Sequence, residues 1–232
     1  MSQWVFKGLA TGIRTTAYPG GEERGKGVTP GRPLGGVFGQ DAERIAGRCP
    51  SQALTAVGGE VTVDEARCIH CYRCAREGAV GLAWKNDYEW AKATGTARIL
   101  GKPFERSLHI IVVDAGDCGA CLNEVKQLNN PYYNMHRLGF FVTPTPRHAD
   151  ILLVVGAVTD HMKDALRKVH DAMPTPKRVV AVGACALSGG AFAGSFACTP
   201  VSSLFPVDVE VPGNPPPPLA ILHGLLLAAG RR

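Results

Sequence analysis

The feature that most restricts what this chain can fold into is the spacing of its cysteines. Cys68, Cys71 and Cys74 form a C-x₂-C-x₂-C run, and Cys49 stands upstream, directly before Pro50. Thiolates at this tandem spacing can wrap three corners of an iron–sulfur cubane, while a distant cysteine binds the fourth. The sequence has eight cysteines, and its first residues lack the apolar core and cleavage site of a secretory signal. We therefore expect metal binding rather than disulfides.

The run resembles half of the ligand pattern of bacterial two-cluster ferredoxins, in which C-x₂-C-x₂-C-x₃-C-P occurs twice and each fourth cysteine binds the other cluster. In this chain the fourth position after Cys74 is Gly78, and counting back from Cys49 gives the three other lost positions, Gly39, Ala42 and Ile45. All four lost positions would have served one cluster, whereas the four cysteines named above would hold the other. The pattern predicts an intact [4Fe–4S] site beside a deleted one.

Structural zinc is the alternative for Cys68, Cys71 and Cys74. Zinc sites favour two separate C-x₂-C pairs, so three cysteines in tandem favour iron–sulfur over zinc. A colourless, zinc-loaded, non-redox assembly module remains the competing interpretation.

The composition describes a chain that can bury a core. Of its 232 residues 45% are hydrophobic and 19% charged, and the net charge of +5 is modest. Because the basic residues are scattered without interleaved aromatics, we expect no nucleic-acid partner. The longest apolar stretch, LAILHGLLLAAG near the C-terminus, is too short to span a bilayer.

Downstream of residue 107 the pattern becomes that of an α/β protein. Three apolar runs, LHIIVVDAG (108–116), ADILLVVGA (149–157) and KRVVAVGAC (177–185), are typical of buried parallel strands. Between the last two, DHMKDALRKVHDAM has helical periodicity, with Thr159 or Asp160 as N-cap. Strand, helix, strand predicts a parallel sheet with helices on its faces.

The predicted organisation has four parts. Residues 1–36, rich in Gly, Pro and Arg, are expected to form an extended arm. Residues 37–83 would form a small ferredoxin-like iron–sulfur domain, and residues 84–106 a linker. Residues 107–232 would form a flavodoxin-like α/β domain that ends in a helix from Leu219 to Ala229.

The other four cysteines follow the predicted strands. Cys118 and Cys121 come after the first strand, Cys185 ends the strand RVVAVGAC, and Cys198 lies in the Gly-rich loop beyond it. Ligands of such sheets bind beyond the carboxyl ends of the strands. The placement predicts a second cluster at this edge.

Four motifs in order carry a specific resemblance over about residues 107 to 230: C-x-x-C-x-x-E, PRHAD, the GAC strand end and VPG-x-PPPP. This region closely resembles the small, electron-transferring subunit of membrane-bound [NiFe] hydrogenases of the formate hydrogenlyase type. It is similar, more distantly, to the 20 kDa subunit of respiratory complex I. The N-terminal part, including GLATGIRTTAYP, resembles the ferredoxin-like subunit of the same complexes, so the chain looks like a fusion of two electron-transfer subunits.

The resemblance implies a [4Fe–4S] cluster beside the catalytic centre of a large partner subunit, with Cys118, Cys121 and Cys185 as ligands. The fourth ligand would be the residue in VPG-x-PP, which here is Asn214, a poor ligand for cluster iron. Three alternatives follow for the fourth ligand. Cys198 takes the place of Asn214, or the site holds a cluster with three thiolates. In the third alternative the cluster is lost and the fold survives as a docking scaffold. We expect the first outcome, because eight cysteines then fill two four-thiolate sites.

Three further residues are candidates for roles near a cluster. Glu124 lies three residues after Cys121, so a helix starting there would turn it back toward the cluster, where the resemblance suggests a proton relay. A plain surface carboxylate is the alternative. Arg147 and His148 are candidates to face the large subunit or to donate to cluster sulfurs.

The sequence predicts an electron-relay subunit of a membrane-associated, complex I-like oxidoreductase, without a catalytic centre of its own. It contains no G-x-G-x-x-G after a strand and no nucleophile–base pair. The partners that the resemblance implies are a large catalytic subunit and membrane-embedded antiporter-like subunits. The location would be peripheral, on the cytoplasmic side of the cell membrane. A quinone-linked or ion-translocating relative without hydrogenase activity is the alternative.

Overall fold

The computed structural model describes residues 3–21, 23, 27–36, 39–76, 81–94, 100 and 104–232. Its helices, in chain order, are α1 Gln3–Thr11, α2 Gln40–Gly47, α3 Ala120–Gln127, α4 Asp160–Ala172, α5 Ala184–Ser188 and α6 Pro218–Ala228. Its strands are β1 Arg32–Pro33, β2 Leu54–Val57, β3 Glu60–Val63, β4 Trp84–Lys85, β5 Lys92–Ala93, β6 Leu108–Asp114, β7 Phe140–Val142, β8 Ile151–Val155, β9 Val158–Thr159, β10 Arg178–Val182, β11 Cys198–Thr199 and β12 Val209–Val211.

A mostly parallel sheet forms the centre of the C-terminal lobe (residues 90–232). Its strand order is β5-β12-β10-β8-β6-β7, and every neighbouring pair from β12 to β7 is parallel, whereas β5 joins β12 antiparallel. Numbered along the chain, the parallel strands have the order 2-1-3-4-5, which is that of flavodoxin-like folds. The predicted α/β class, the three apolar strands and the helix after Thr159 are confirmed.

The central strands are apolar on both sides because helices cover both faces of the sheet. Every residue of β8 (ILLVV) and β10 (RVVAV) is buried. Val125 of α3 and Leu222 of α6 pack on one face, and Leu166 of α4 packs on the other. Nearly every residue of α6 is buried, which explains its uninterrupted apolar sequence. None of the helices in the described portion is both long and apolar enough to cross a bilayer.

The N-terminal lobe (residues 32–85) has a small core of its own. Helix α2 packs on the β2–β3 hairpin, and β1 pairs with β4. Ala42 and Ile45, at two of the positions predicted to have lost cluster ligands, are 0% and 1% exposed and pack with Leu54, Val61 and Leu82. Apolar contacts therefore occupy that part of the lobe. A third predicted position, Gly78, lies outside the described residues.

Residues 3–21 differ from the predicted extended arm. Gln3–Thr11 is helical, with no buried residue, and its run WVFKGLA is too short to show a helical period by itself. Tyr18 is 2% exposed in the core of the C-terminal lobe, and the Thr16 N–H donates to the Tyr132 carbonyl at 2.9 Å. This segment is therefore held by contacts within the same chain.

Part of the predicted linker also contributes to the C-terminal lobe. Trp90 is 1% exposed in its core, and β5 extends the sheet at β12. A two-residue strand gives no detectable alternation, so sequence periodicity could not identify it.

Candidate functional site

The first thiol set, defined as Cys49, Cys68, Cys71 and Cys74, surrounds one cavity. The cavity measures about 440 Å³ with its mouth and is also lined by Ile45 and Trp84. The structure thus brings together the four cysteines that the ferredoxin-type spacing grouped.

Two residues between the cysteines of this loop have left-handed backbone conformations. His70 and Tyr72 occupy x positions of C-x₂-C-x₂-C and have φ of 51° and 60°. Non-glycine residues rarely adopt this region, and here it directs successive thiols to the same side of the loop. Cys49 enters from the end of α2, where its N–H donates to the Ala46 carbonyl at 3.1 Å.

Hydrogen-bond donors surround the cavity. The Ala53 N–H donates to Cys49 Sγ at 3.3 Å, and the Ser51 hydroxyl lies 3.6 Å from the same sulfur. The Trp84 indole Nε1 is buried and makes no hydrogen bond that meets normal geometry. Burial raises the pKa of the Cys74 thiol, and the nearby Trp84 offsets part of that rise. A buried donor facing sulfur suits a sulfur-rich anionic group, because N–H···S bonds are a recurring feature around protein-bound clusters.

Two thiols of the first set, Cys68 and Cys74, have raised pKa values. Burial raises the pKa of Cys68 to about 11, and the neighbouring Cys74, Cys49 and Cys71 add to the shift, partly offset by a backbone hydrogen bond at His70. Burial also raises the pKa of Cys74. Thiolates become favourable in such a place when metal charge offsets their repulsion. Within the described ranges no three His, Cys, Asp or Glu side chains are arranged to hold a single metal ion.

The second thiol set is defined as Cys118, Cys121, Cys185 and Cys198. Cys118 follows β6, Cys121 lies in the first turn of α3, and Cys185 lies in the first turn of α5, directly after β10. These three lie at the carboxyl edge of the sheet, on both sides of β8, as predicted.

Two glycines allow the backbone to approach these sulfurs. A methyl group on Gly183 would lie 2.6 Å from Cys121 Sγ, and one on Gly190 would lie 2.7 Å from Cys185 Sγ. Both glycines have positive φ, of 92° and 54°. Larger residues would therefore clash with a sulfur as well as strain the backbone.

The second thiol set is also electrostatically coupled. Burial raises the pKa of Cys121, and Asp117, Cys185 and Cys118 raise it further. Burial and then Cys118 raise the pKa of Cys185, to which Cys198 also contributes. Cys198 lies in β11, where it pairs with Thr159. Strand β9 follows the carboxyl end of β8, so this pairing places Cys198 at the same edge of the sheet.

The Asn214 side chain makes a hydrogen bond to the N-terminal lobe. Its side-chain Nδ2 donates to the backbone carbonyl of Ile69 at 3.3 Å, in the loop of the first thiol set. The position that the resemblance assigns to a fourth ligand therefore contacts the other lobe.

Sequence reasoning missed the residue that shapes the second C-x₂-C loop. Asp117 Oδ2 accepts hydrogen bonds from the N–H groups of Gly119 at 3.1 Å and Leu122 at 2.9 Å, which holds the start of α3. The spacing D-x-G in DCGAC is the signal that could have found it, since Asp commonly accepts from the backbone two residues on. Trp84 and Ser188 carry no comparable signal.

Glu124 lies in α3, as expected from its spacing. It lines a cavity of about 780 Å³ between the lobes, together with His70, Tyr133 and Asn214. Burial raises the pKa of Glu124, and burial followed by Glu124 raises the pKa of Tyr133. The carboxyl group is therefore shielded from solvent enough to hold a proton more tightly than a surface glutamate does.

The prediction that Arg147 and His148 donate to cluster sulfurs is wrong. Both are exposed in a short 3₁₀ turn, Pro146–His148, which precedes β8. The cysteines of the second set follow β6 and β10, which run parallel to β8. A residue that precedes a strand lies at the opposite edge of a parallel sheet, about 16 Å away for five residues.

Comparisons with known proteins agree with this fold. The sequence model of the family described as NADH ubiquinone oxidoreductase, 20 Kd subunit, matches residues 118–228. A probable membrane-bound hydrogenase subunit of Pyrococcus furiosus is 44% identical over 124 residues, covering 53% of this chain and 74% of that relative. Formate hydrogenlyase subunit 7 of Escherichia coli is 39% identical over 130 residues, covering 56% of this chain and 51% of the relative.

The solved structures include a similar chain in the membrane-bound sulfane sulfur reductase, an archaeal respiratory membrane complex. It has a TM-score of 0.50 and 28% sequence identity, over 55% of this chain and 71% of that chain. The family match begins at Cys118 and so does not include the N-terminal lobe. With its sheet order, its thiol-bearing strand ends and these relatives, the chain belongs to the family of the 20 kDa subunit of NADH ubiquinone oxidoreductase.

Proposed function

We propose that this chain is the iron–sulfur electron-relay subunit of a membrane-associated oxidoreductase of the complex I and formate hydrogenlyase type. The observation that carries the proposal is the grouping of the four cysteines of the first thiol set around one cavity, on a lobe hydrogen-bonded to the lobe that carries the second set. A family of oxidoreductase subunits and relatives from membrane-bound complexes support it.

In this proposal each thiol set holds one [4Fe–4S] cluster, which supplies single-electron transfer when bound. Cys49, Cys68, Cys71 and Cys74 hold the first in the N-terminal lobe, which we take to be a ferredoxin-like domain. Cys118, Cys121 and Cys185 hold the second.

Cys198 is our candidate for the fourth ligand of the second site. It already acts on the pKa of Cys185, whereas the Asn214 amide is engaged with Ile69. Thiolates are the ordinary ligands of such clusters, so a free cysteine is chemically favoured over an amide.

Electrons would pass between the two sites and a catalytic centre in a large partner subunit. Antiporter-like membrane subunits would complete the assembly, with this chain bound peripherally on the cytoplasmic side of the cell membrane. Glu124, with its raised pKa, would hold a proton near that centre.

A partner without nickel–iron chemistry is the second candidate. The similarity to a chain of the membrane-bound sulfane sulfur reductase favours it, because that title describes a respiratory complex with another activity. A quinone-linked or ion-translocating assembly belongs to the same class. Two C-x₂-C pairs in the large subunit encoded beside this chain would indicate a hydrogenase, and their absence would favour this candidate.

The test is an iron and acid-labile sulfide count with EPR spectroscopy on the anaerobically purified protein. We expect about eight irons per chain and about four in Cys198→Ser, given four irons per cubane. Phe196→Ala, at an exposed position in the same loop, is the matched control and should keep all of them. Unchanged iron in Cys198→Ser would remove Cys198 from the ligand set, and a colourless zinc-loaded chain would overturn the relay.

A further inference from the structure

Two side chains of the C-terminal lobe reach the backbone of the first cysteine loop. Asn214 Nδ2 donates to the Ile69 carbonyl at 3.3 Å, and Ser188 Oγ lies 2.9 Å from the Ala66 carbonyl. Ala66 and Ile69 flank Cys68. Both contacts therefore hold the segment that carries a thiol of the first set.

Both donors also lie next to the second thiol set. Ser188 is three residues beyond Cys185, on the same short helix. Asn214 follows Gly213, whose carbonyl accepts a hydrogen bond from the Ala184 N–H at 2.8 Å, next to Cys185. Each contact thus joins the surroundings of one thiol set directly to the backbone of the other.

The two contacts differ in strength. The hydroxyl of Ser188 has one proton, and the Ala184 carbonyl, at 3.0 Å, competes for it. The Asn214 amide has two protons, and Ile69 is the acceptor that the structure gives it. The Ser188 proton is therefore shared between two acceptors, whereas the structure gives the Asn214 amide one acceptor.

Open clefts flank the Asn214 contact. One of about 780 Å³ is lined by Asn214 and His70, and one of about 710 Å³ is lined by Ile69 and Gly190. Elsewhere the loop packs on the C-terminal lobe, where the His70 ring stacks on Trp90 at 5.3 Å. The Asn214 hydrogen bond adds a directional contact at Ile69, the residue after Cys68.

We propose that Asn214 is a positioning residue that bridges the two thiol sets and sets the separation and coupling of the clusters they hold. The connection runs from the Ala184 N–H, beside Cys185, through the Gly213–Asn214 peptide and the Asn214 side chain to the Ile69 carbonyl, beside Cys68. An amide suits this role, because it donates without adding a charge or competing for iron. The proposal rests on the proposed function, in which both sets hold clusters.

The test uses the full chain in its native assembly, purified without oxygen. Asn214→Ala removes the donor, Asn214→Asp keeps the shape but places a carboxylate oxygen against the carbonyl, and Asn214→Gln keeps the amide. We expect unchanged iron in all three variants. The Ala and Asp variants should show a weaker magnetic interaction between the reduced clusters by EPR, and amide exchange in residues 69–72 faster by about fivefold, the typical effect of one net hydrogen bond. The Gln variant should recover part of the magnetic interaction and part of the slow amide exchange.

The outcomes separate this proposal from the one it rests on. Wild-type magnetic interaction and wild-type exchange in Asn214→Ala, in a protein with two clusters, would overturn the bridge and leave the relay intact. Loss of about half the iron in Asn214→Ala would overturn it in favour of a ligand role, given four irons per cubane. A wild-type protein with one cluster or none would overturn the proposed function itself.

Discussion

The two thiol sets of this chain are built in opposite ways. In the first, three of the four cysteines lie within seven residues of one loop, and the cavity is closed by Cys49 from the same lobe. In the second, Cys118 and Cys121 follow one strand of the central sheet, Cys185 follows another strand more than sixty residues later, and Cys198 lies in β11 of a separate two-stranded sheet. The first site is encoded by local spacing and the second by topology, so we expect them to fail independently and for different reasons.

The largest expected effect tests that independence. Cys71 and Cys118 form a matched pair, since each is the exposed thiol of its set. Cys71→Ser should remove the first cluster and Cys118→Ser the second, each with loss of about half the iron, because one missing thiolate opens a cubane site. Iron and sulfide counts with EPR would show which signal remains.

A loss of all iron in either variant would contradict this independence. It would mean that assembly of one site requires the other, and the contacts of Ser188 and Asn214 with the first cysteine loop would be the places to look for the cause.

The second-largest expected effect concerns the hydrophobic core of the N-terminal lobe. Ile45 is 1% exposed, packs in the small core and lines the first cavity. Ile45→Ala should lower the free energy of unfolding by about 2–5 kcal/mol, the usual cost of truncating a buried Ile. Faster iron release from the first site should accompany it, measured by chelator kinetics.

Val57→Ala is the control for that variant, because Val57 lies in the same lobe and is 64% exposed. It should change stability by less than about 0.5 kcal/mol. Equal effects of the two substitutions would show that the N-terminal lobe lacks a specifically packed core.

The two regions also differ in how far the sequence predicted them. The apolar runs of β6, β8 and β10 specified buried parallel strands, and the cysteines after them could be placed at one edge from that alone. The cysteine run from Cys68 to Cys74 likewise predicted its own grouping, since spacing within a loop is visible in sequence.

What the sequence could not show were contacts between distant segments. The burial of Tyr18 in the C-terminal lobe, the two-residue strand β5 and the Asn214 contact with Ile69 depend on tertiary structure with no periodic signal. Arg147 and His148 are a different case, because the predicted parallel sheet already placed residues that precede β8 at the edge opposite the cysteines.

The smallest effect tests whether the first site is tuned by its own lobe. Trp84 is stacked on Tyr72 at 4.3 Å, and its buried indole N–H faces the cavity near Cys74. Trp84→Phe keeps an aromatic ring and removes the donor. Because N–H···S bonds stabilise the more negative, reduced cluster, the midpoint potential of the first cluster should fall, by up to about 59 mV for a tenfold change in a one-electron equilibrium. The second cluster should keep its potential.

Trp90→Phe is the matched control, since that indole donates to Asp87 instead. An EPR-monitored redox titration distinguishes these cases, and an unchanged first potential in Trp84→Phe would show that the indole does not donate to the cluster.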